Sequence, residues 1–500
     1  MTSPQKKKPL AYKHQALALR EMHMNRHGTA WKEGFGLFLE MGLGKTKVAL
    51  DAWSDMLTQD APQALVLAPR GMFHQWQEEF LKHAQETVLD RVEVVYWTHK
   101  TTVKAKKDLS RLRMGEGSPQ KLFIMNTEAL VSKRAQAACE KFLKQQRTLM
   151  VVDEASMIKN NRAKRSKTIH RLGMLAAYRF ALTGSPVTQS PLDLWSIFKF
   201  INPDVLGNRF VAFRSRYAKV VERQVRTNGV LRSYPDVVGY QNLDELKRLI
   251  APHCIILKKA DCLDLPPKVY VKREVLMSDG QRHLYERMCE QCLIELEDCQ
   301  QVTAPLVLTK LLRLRQILCG FVVPENEEGK SCGKALDIDV NSPRDREALA
   351  VIEEAGGNVV IWTTFRHTAA RLASLIAKEH GPESVCQFVG GIANDERKRI
   401  VNDFSDVDNP LRFFVSTIQA GYFGLNLQAA NVELFYDNTF SFDQRGQAED
   451  RCHRIGQKKS VTIIDLVSPG TVDERVLECL KSKAELAEIV AGGQFKELFK

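Results

Sequence analysis

Phe35-Gly36-Leu37-Phe38-Leu39-Glu40-Met41-Gly42-Leu43-Gly44-Lys45-Thr46 opens as an apolar run, turns through two glycines and ends on a lysine and a threonine. The run reads as a buried strand. Beyond it Ala49, Ala52, Trp53, Met56 and Leu57 recur at helical spacing, which predicts an amphipathic crossover helix. Strand, glycine turn and helix in that order give the context of a phosphate-binding loop. Glycines let backbone N–H groups approach phosphate oxygens, and the helix N-terminus adds a favourable dipole. Lys45 would reach the β- and γ-phosphates of a nucleoside triphosphate, and Thr46 would ligate Mg²⁺. The strict pattern wants glycine where Leu39 stands, so this string alone also fits a glycine-lysine turn on a surface loop.

Working outward, the same alternation of apolar run and helical pattern continues. Ala64-Leu65-Val66-Leu67-Ala68, Leu122-Phe123-Ile124-Met125, Leu149-Met150-Val151-Val152 and Arg179-Phe180-Ala181-Leu182 each read as a strand buried on both faces, as in a parallel sheet. From about Asn202 to Gly333 the pattern turns helical and charged, as in Asp244 to Ile250 and Gln281 to Gln300. Val359-Val360-Ile361-Trp362, Arg412-Phe413-Phe414-Val415-Ser416, Val432-Glu433-Leu434-Phe435-Tyr436 and Val461-Thr462-Ile463-Ile464 then restore the first rhythm. The expected class is α/β: two doubly wound parallel-sheet lobes with helical insertions between them. The expected boundaries are 1–204 for the first lobe, 205–333 for insertions and linker, 334–480 for the second lobe and 481–500 for a helical tail. The second lobe's first strand is expected near 268–278, and Glu325 to Lys330 reads as a loop.

Composition narrows the class without naming a function. Across 500 residues, 44% hydrophobic and 26% charged content exclude a collagenous or mostly disordered chain. No stretch approaches the ~20 uncharged apolar residues of a membrane helix. The N-terminus, Met1 to His14, is basic but has no apolar core behind it, unlike a secretory signal. Eleven irregularly spaced cysteines point to reduced thiols in an intracellular compartment. Lys+Arg exceed Asp+Glu by 72 to 60, a net charge of +12 that suits a polyanionic partner but does not require one.

Two further strings carry chemistry. The run Leu149 to Val152 leads straight into Asp153-Glu154, a carboxylate pair at the end of a buried strand, where α/β sheets hold ligands. Asp153 can hold Mg²⁺ and Glu154 can polarise an attacking water; a pair alone could also be a solvated turn. In Gln447-Ala448-Glu449-Asp450-Arg451-Cys452-His453-Arg454-Ile455-Gly456-Gln457, the two arginines three apart would project from one helix face. Such a pair suits a transferring phosphoryl group, and taken alone it fits a solvated basic helix better. The basic run Lys159, Arg162, Lys164, Arg165, Lys167 and Arg171 reads equally as a DNA-tracking or a solvated face. Lys104, Lys106, Lys107, Arg111 and Arg113 read as solvated, Trp76 and Trp195 as core anchors, and Cys289, Cys292 and Cys299 as thiols rather than metal ligands.

Taken together, these strings resemble a Swi/Snf-type ATPase of the superfamily-two helicase-like proteins. The similarity runs from about Leu10 to Ala487 with the motifs in family order. Tyr12-Lys13-His14-Gln15 resembles the adenine-recognition segment, Ala68-Pro69 with Trp76 to Phe80 the second segment, and Asp153 to Asn160 the extended acidic box. Leu182-Thr183-Gly184-Ser185-Pro186 resembles the coupling segment, and Leu265-Pro266-Pro267-Lys268, Gly390-Gly391 with Arg397, and Ser416-Thr417 to Leu427 resemble second-lobe segments. The string ending Arg454-Ile455-Gly456-Gln457 is close to a signature. Four positions depart from the family: Ser156 for histidine, Phe440 for tryptophan, Lys258-Lys259 for an arginine-containing pair, and Tyr422 for glycine beside one extra residue.

The resemblance implies two RecA-like lobes that bind ATP and Mg²⁺ and translocate on double-stranded DNA, remodelling it or displacing bound proteins. It implies catalysis by Lys45, Asp153, Glu154, Gln447, Arg451 and Arg454, ATP binding by Gln15, Met41, Gly42, Leu43, Gly44, Lys45, Thr46 and Gly424, and metal binding by Thr46 and Asp153. DNA contacts are expected from Pro69, Arg70, Thr127, Lys159, Asn160, Thr364, Arg366, Thr417 and Phe440. A strand-separating or fork-annealing helicase, and a catalytically idle DNA-binding scaffold, remain the competing readings. No accessory reader domain is recognisable, which leans toward a bacterial or viral monomer working in the cytoplasm, or in a nucleus if the source is eukaryotic.

Overall fold

The structure, a computed structural model, describes residues 11–27, 34–57, 61–69, 72, 75–100, 102–112, 120–187, 190–227, 230–298, 304–324, 334–339, 341–421 and 424–491. The chain divides into two compact units, one mainly Met1–Lys219 with Val237–Asp264, the other mainly Leu265–Ala484 with Val220–Asp236.

The first unit is built on the apolar runs. β1 (Gly34–Leu39), β2 (Gln63–Ala68), β3 (Val92–Tyr96), β4 (Gln120–Asn126), β5 (Thr148–Asp153) and β6 (Tyr178–Leu182) are its first six strands. Every residue of β1, β2 and β5 is buried, because helices cover both sheet faces. After a two-stranded ribbon, β7 (Ala218–Thr227) and β8 (Val230–Tyr240), the chain returns as β9 (Cys254–Leu257) alongside β1. The order is β3-β4-β2-β5-β6-β1-β9, with all pairs parallel. The helix Lys45–Met56 buries Val48, Ala49, Ala52, Trp53 and Met56, the face its spacing predicts.

The second unit has a six-stranded parallel sheet. β10 (Lys268–Glu274) comes first in the chain, and a small antiparallel pair, β11 (Phe321–Val322) with β12 (Leu336–Asp337), stands apart from the sheet. β13 (Val359–Thr363), β14 (Val385–Phe388), β15 (Phe413–Thr417), β16 (Val432–Phe435) and β17 (Val461–Val467) complete it in the order β10-β17-β16-β13-β15-β14. The helices Asp279–Asp298, Ala304–Leu318 and Val472–Ala491 share a satellite core of Tyr285, Leu314, Ile317, Leu318, Val476 and Leu480.

β10 spans Lys268–Glu274, and the α/β class and the parallel sheets are as expected. The first boundary is not. The first unit does not end at 204, because β9 supplies its edge strand, so the stretch 205–333, expected to hold insertions and linker, is shared between the units. The helix Val472–Ala491 runs through 481, and the second unit ends close by, at Ala484. The ribbon β7–β8 and the strands β3 and β14 were not legible, being short or interrupted by charge. Glu325 to Lys330 and Tyr422 lie outside the described residues.

Candidate functional site

In the first unit the candidate residues gather at the carboxyl ends of β1, β6 and β5, which are neighbours in the sheet. After Leu39 the chain turns through Gly42 (φ 85°) and Gly44 (φ 83°), left-handed conformations that cost a side chain strain. Gly44 caps the helix Lys45–Met56, so that helix's free N–H groups open onto the loop. A Cβ at Gly44 would also collide with the Gln15 amide nitrogen. Gln15 is itself buried and holds the loop: its Nε2 donates to the Leu43 carbonyl at 3.1 Å, while its Oε1 accepts from the Tyr12 N–H at 3.2 Å. His14 Nε2 lies 3.1 Å from the same Leu43 oxygen. Burial pushes the His14 pKa below its ordinary value, against the opposing pull of that carbonyl, so the ring is neutral and can donate. His14 and Gln15 thus clamp one backbone carbonyl of the loop.

Lys45 Nζ donates to the Leu39 carbonyl at 3.0 Å, and Thr46 is half-buried on the first helical turn. Asp153 and Glu154 are almost fully buried. Trp76 Nε1 donates to Asp153 Oδ2 at 2.9 Å, and the Glu154 N–H donates to Oδ1 at 3.0 Å. Burial raises the Asp153 pKa, with the Trp76 N–H, the Lys45 ammonium and the Glu154 N–H pulling the other way. Glu154 sits at φ 52°, ψ 59°, a left-handed conformation rare for a non-glycine residue and typical of strained functional positions. At the end of β6, Gly184 lies against Met41, so the coupling segment packs directly on the loop. Two residues beyond β9, the Lys259 N–H donates to Glu40 Oε2 at 2.6 Å, fixing the loop's first residue.

In the second unit the arginine string is not the continuous helix expected. The helix Phe442–Glu449 stops before Arg451, and the next residues form turns. The arginines nevertheless converge: Arg451 Nη1 and Arg454 Nη1 donate to the Leu425 carbonyl at 3.2 and 3.0 Å. Arg451 Nε also donates to the Gln447 carbonyl at 2.9 Å, and Gln447, buried, donates through Nε2 to Asp443 Oδ1 at 3.1 Å. Gly424 (φ 69°) turns the chain just before Leu425. Gln457 closes the string, its Nε2 reaching the Ala430 carbonyl at 2.9 Å.

Lys268, Glu449, Asp450 and His453, whose motifs alone suggest no role for them, come together in the second unit. Lys268 Nζ donates to Glu449 Oε2 at 3.0 Å and Asp450 Oδ1 at 3.2 Å, and His453 Nε2 lies 2.8 Å from the Pro266 carbonyl oxygen. Trp76 is more than the core anchor its sequence suggests. It is buried, and it is also the donor to Asp153.

The expected DNA-contact residues do not share one environment. Asn160 and Arg366 are exposed and Lys159 is half-buried. Pro69, Thr127 and Thr417 are buried, so their side chains do not reach solvent. Thr364 is half-buried, its hydroxyl donating to Asp437 and accepting from Arg315 Nη2 at 2.9 Å, and Phe440 packs on the satellite helical core. Arg171 of the basic run pairs with Glu140. Arg70, Arg113 and Cys299 lie outside the described residues, as do the side chains of Lys104, Lys106 and Cys292. The described cysteines assigned a state are free thiols. No helix among the described residues is long and apolar enough to cross a membrane.

A glycine-lysine loop beside a buried acidic pair on one parallel sheet, followed by a second parallel sheet with an arginine-rich turn, defines a two-lobed helicase-like chain. Residues 14–321 match the SNF2-related domain and residues 345–456 the helicase conserved C-terminal domain. The chain belongs to the SNF2-related family. It is 28% identical over 474 residues to an uncharacterized ATP-dependent helicase of Mycoplasma pneumoniae, covering 92% of this chain and 41% of that one. With the putative ATP-dependent helicase/translocase YwqA of Bacillus subtilis it shares 26% identity over 479 residues, covering 92% of this chain and 48% of that one. The chain therefore spans less than half the length of these curated relatives. Among solved structures, the Sulfolobus solfataricus SWI2/SNF2 ATPase core in complex with dsDNA is 26% identical, with a TM-score of 0.42 over 98% of this chain and 95% of that chain.

Proposed function

We propose that this chain hydrolyses ATP and uses the cycle to move along double-stranded DNA, remodelling it or displacing bound proteins. The observation that carries the reading is the joint placement of loop and acids. Gly44 opens a helix N-terminus, and Lys45 and Asp153 lie close enough for the ammonium to stabilise the carboxylate. In this reading the loop N–H groups and Lys45 bind the β- and γ-phosphates. Thr46 and Asp153 would hold Mg²⁺, which supplies charge neutralisation on the phosphate oxygens. The residues fit such an ion: Asp153 is a buried carboxylate whose two partners each occupy only one acceptor site per oxygen. Glu154 orients the attacking water, and Arg451 and Arg454 stabilise charge developing on the transferred phosphoryl group. Asn160, Arg366 and Lys159 are the first candidates for the DNA backbone, through salt-sensitive phosphate contacts.

Phosphate release measured with no DNA, linear duplex, single strands and forks tests the proposal. Duplex should stimulate most, and its apparent affinity should fall by roughly 0.9 logarithmic units per phosphate contact for each tenfold rise in salt. Equal rates with and without nucleic acid would sink it. Displacement of a triplex third strand without fork unwinding is the result expected of a duplex tracker; unwinding would assign a strand-separating helicase instead.

A further inference from the structure

The hydrolysis reading uses Arg451 and Arg454 but leaves unexplained the ionic cluster beside them. Lys268 opens β10 directly after Pro266-Pro267 and is bound to both Glu449 and Asp450, at 3.0 and 3.2 Å. Tyr270 shares its strand face, and its hydroxyl donates to Glu449 Oε2 at 2.9 Å. Glu449 Oε1 is taken by Arg445 Nε at 2.8 Å. On the far side of Arg451, His453 Nε2 meets the Pro266 carbonyl at 2.8 Å. The residues on both flanks of Arg451 are thereby tied to a single segment, Pro266 to Tyr270.

The arginine string needs such ties. Its helix ends at Glu449, so Arg451 to Gly456 has no continuing helical ladder to set its direction. Burial alone would push the Lys268 ammonium down, but Asp450 and Glu449 outweigh it and keep the group charged. Apolar replacements of a buried ion pair often match its stability, so what the ions add here is direction: two carboxylates on consecutive residues meet one cation.

We propose that Lys268 is a positioning residue for ATP hydrolysis: by holding Glu449 and Asp450 it fixes the turn that aims Arg451 and Arg454, without touching the nucleotide itself. This rests on the hydrolysis reading above.

The test uses the full chain with saturating duplex DNA. Lys268→Met keeps the aliphatic stem and deletes the charge. Its kcat should fall ~10–100-fold, the size of effect typical when an outer-shell partner of a working residue is removed. KM for ATP and the affinity for a fluorescent ATP analogue should stay within about threefold, because the phosphate loop is untouched. Lys268→Arg, which still reaches both carboxylates, should recover most of the loss. In an Arg454→Ala background, single-turnover measurements should show Lys268→Met costing less than about threefold more, since residues acting through one group are not additive. Should Lys268→Met fail to fold, Tyr270→Phe removes one donor to Glu449 and should lower kcat about two- to fivefold in a folded protein.

Wild-type kcat in Lys268→Met or Tyr270→Phe, or a full multiplicative loss in the double variant, would overturn the positioning role while leaving the hydrolysis reading intact. A wild-type chain that releases no phosphate with any DNA would instead overturn that reading, and this inference with it.

Discussion

Trp76 shows how one side chain can serve both core and site. It is 2% exposed, and its indole N–H is the donor that faces Asp153. Trp76→Phe should keep the packing and delete the donor, costing about 1.5–3 kcal/mol for a bond to a charged group. Since that N–H pulls the Asp153 pKa down, losing it raises the pKa further, so the acid limb of the ATPase profile should move to higher pH. A profile superimposable on wild type would remove Trp76 from the site. Glu433 offers a second residue-level test. Buried in β16 with Trp362 Nε1 on its Oε2 at 2.8 Å, its carboxyl is pushed up by burial to about 8. Below the model-peptide value of 4.5 both folded and unfolded chains hold the proton; above it the unfolded chain releases first. Stability therefore falls as pH rises through that window, at up to about 1.4 kcal/mol per unit, and levels off above about 8. Glu433→Gln, which keeps an acceptor for Trp362 and cannot ionise, should match wild type near pH 4.5 and melt progressively higher than it toward pH 8. A constant difference across that range would show that Glu433 does not carry the shift. The residue was visible as a lone charge in an apolar run, whereas nothing local to Trp76 pointed at a carboxylate 77 positions away.

At the scale of elements, the glycine-lysine loop was legible because its pattern is local: strand, glycines, lysine and helix follow without interruption. Its support was not. The clamp of His14 and Gln15 on Leu43, and the Lys259 N–H on Glu40, join residues far apart in the chain. Gly44→Ala tests loop and clamp together, because the new methyl meets both a φ of 83° and the Gln15 amide. It should cost about 1–3 kcal/mol in stability and lower nucleotide affinity at least ~10-fold. Thermal melting and analogue binding check this; an unchanged affinity would place the phosphates elsewhere. The arginine string failed in the opposite sense. Spacing of three suggested one helix face, yet the helix ends at Glu449 and the arginines meet on a carbonyl from another loop. Periodicity records spacing, and a turn can produce the same convergence.

At the scale of the molecule, what escaped the sequence was topology. The runs of β1, β2, β4, β5 and β6 announced a parallel sheet, but β9, four residues long and preceded by the ribbon β7–β8, carries no mark of which sheet it joins. It pairs with β1, the strand that leads into the phosphate loop, in the register Gly36 to Cys254 through Leu39 to Leu257. A fragment cut at the expected boundary of 204 loses that strand, exposes the edge of β1 and removes the N–H that holds Glu40. Residues 1–264 keep both. The longer fragment should therefore fold and bind an ATP analogue, while the shorter aggregates or binds none. If the proposed role of Arg451 and Arg454 holds, neither should turn over ATP within ~10³-fold of the full chain, because both arginines belong to the second unit. Analogue binding with phosphate release on both fragments decides the matter. Full turnover by 1–264 would mean that the first unit hydrolyses ATP unaided, and the arginine turn would lose its assigned role.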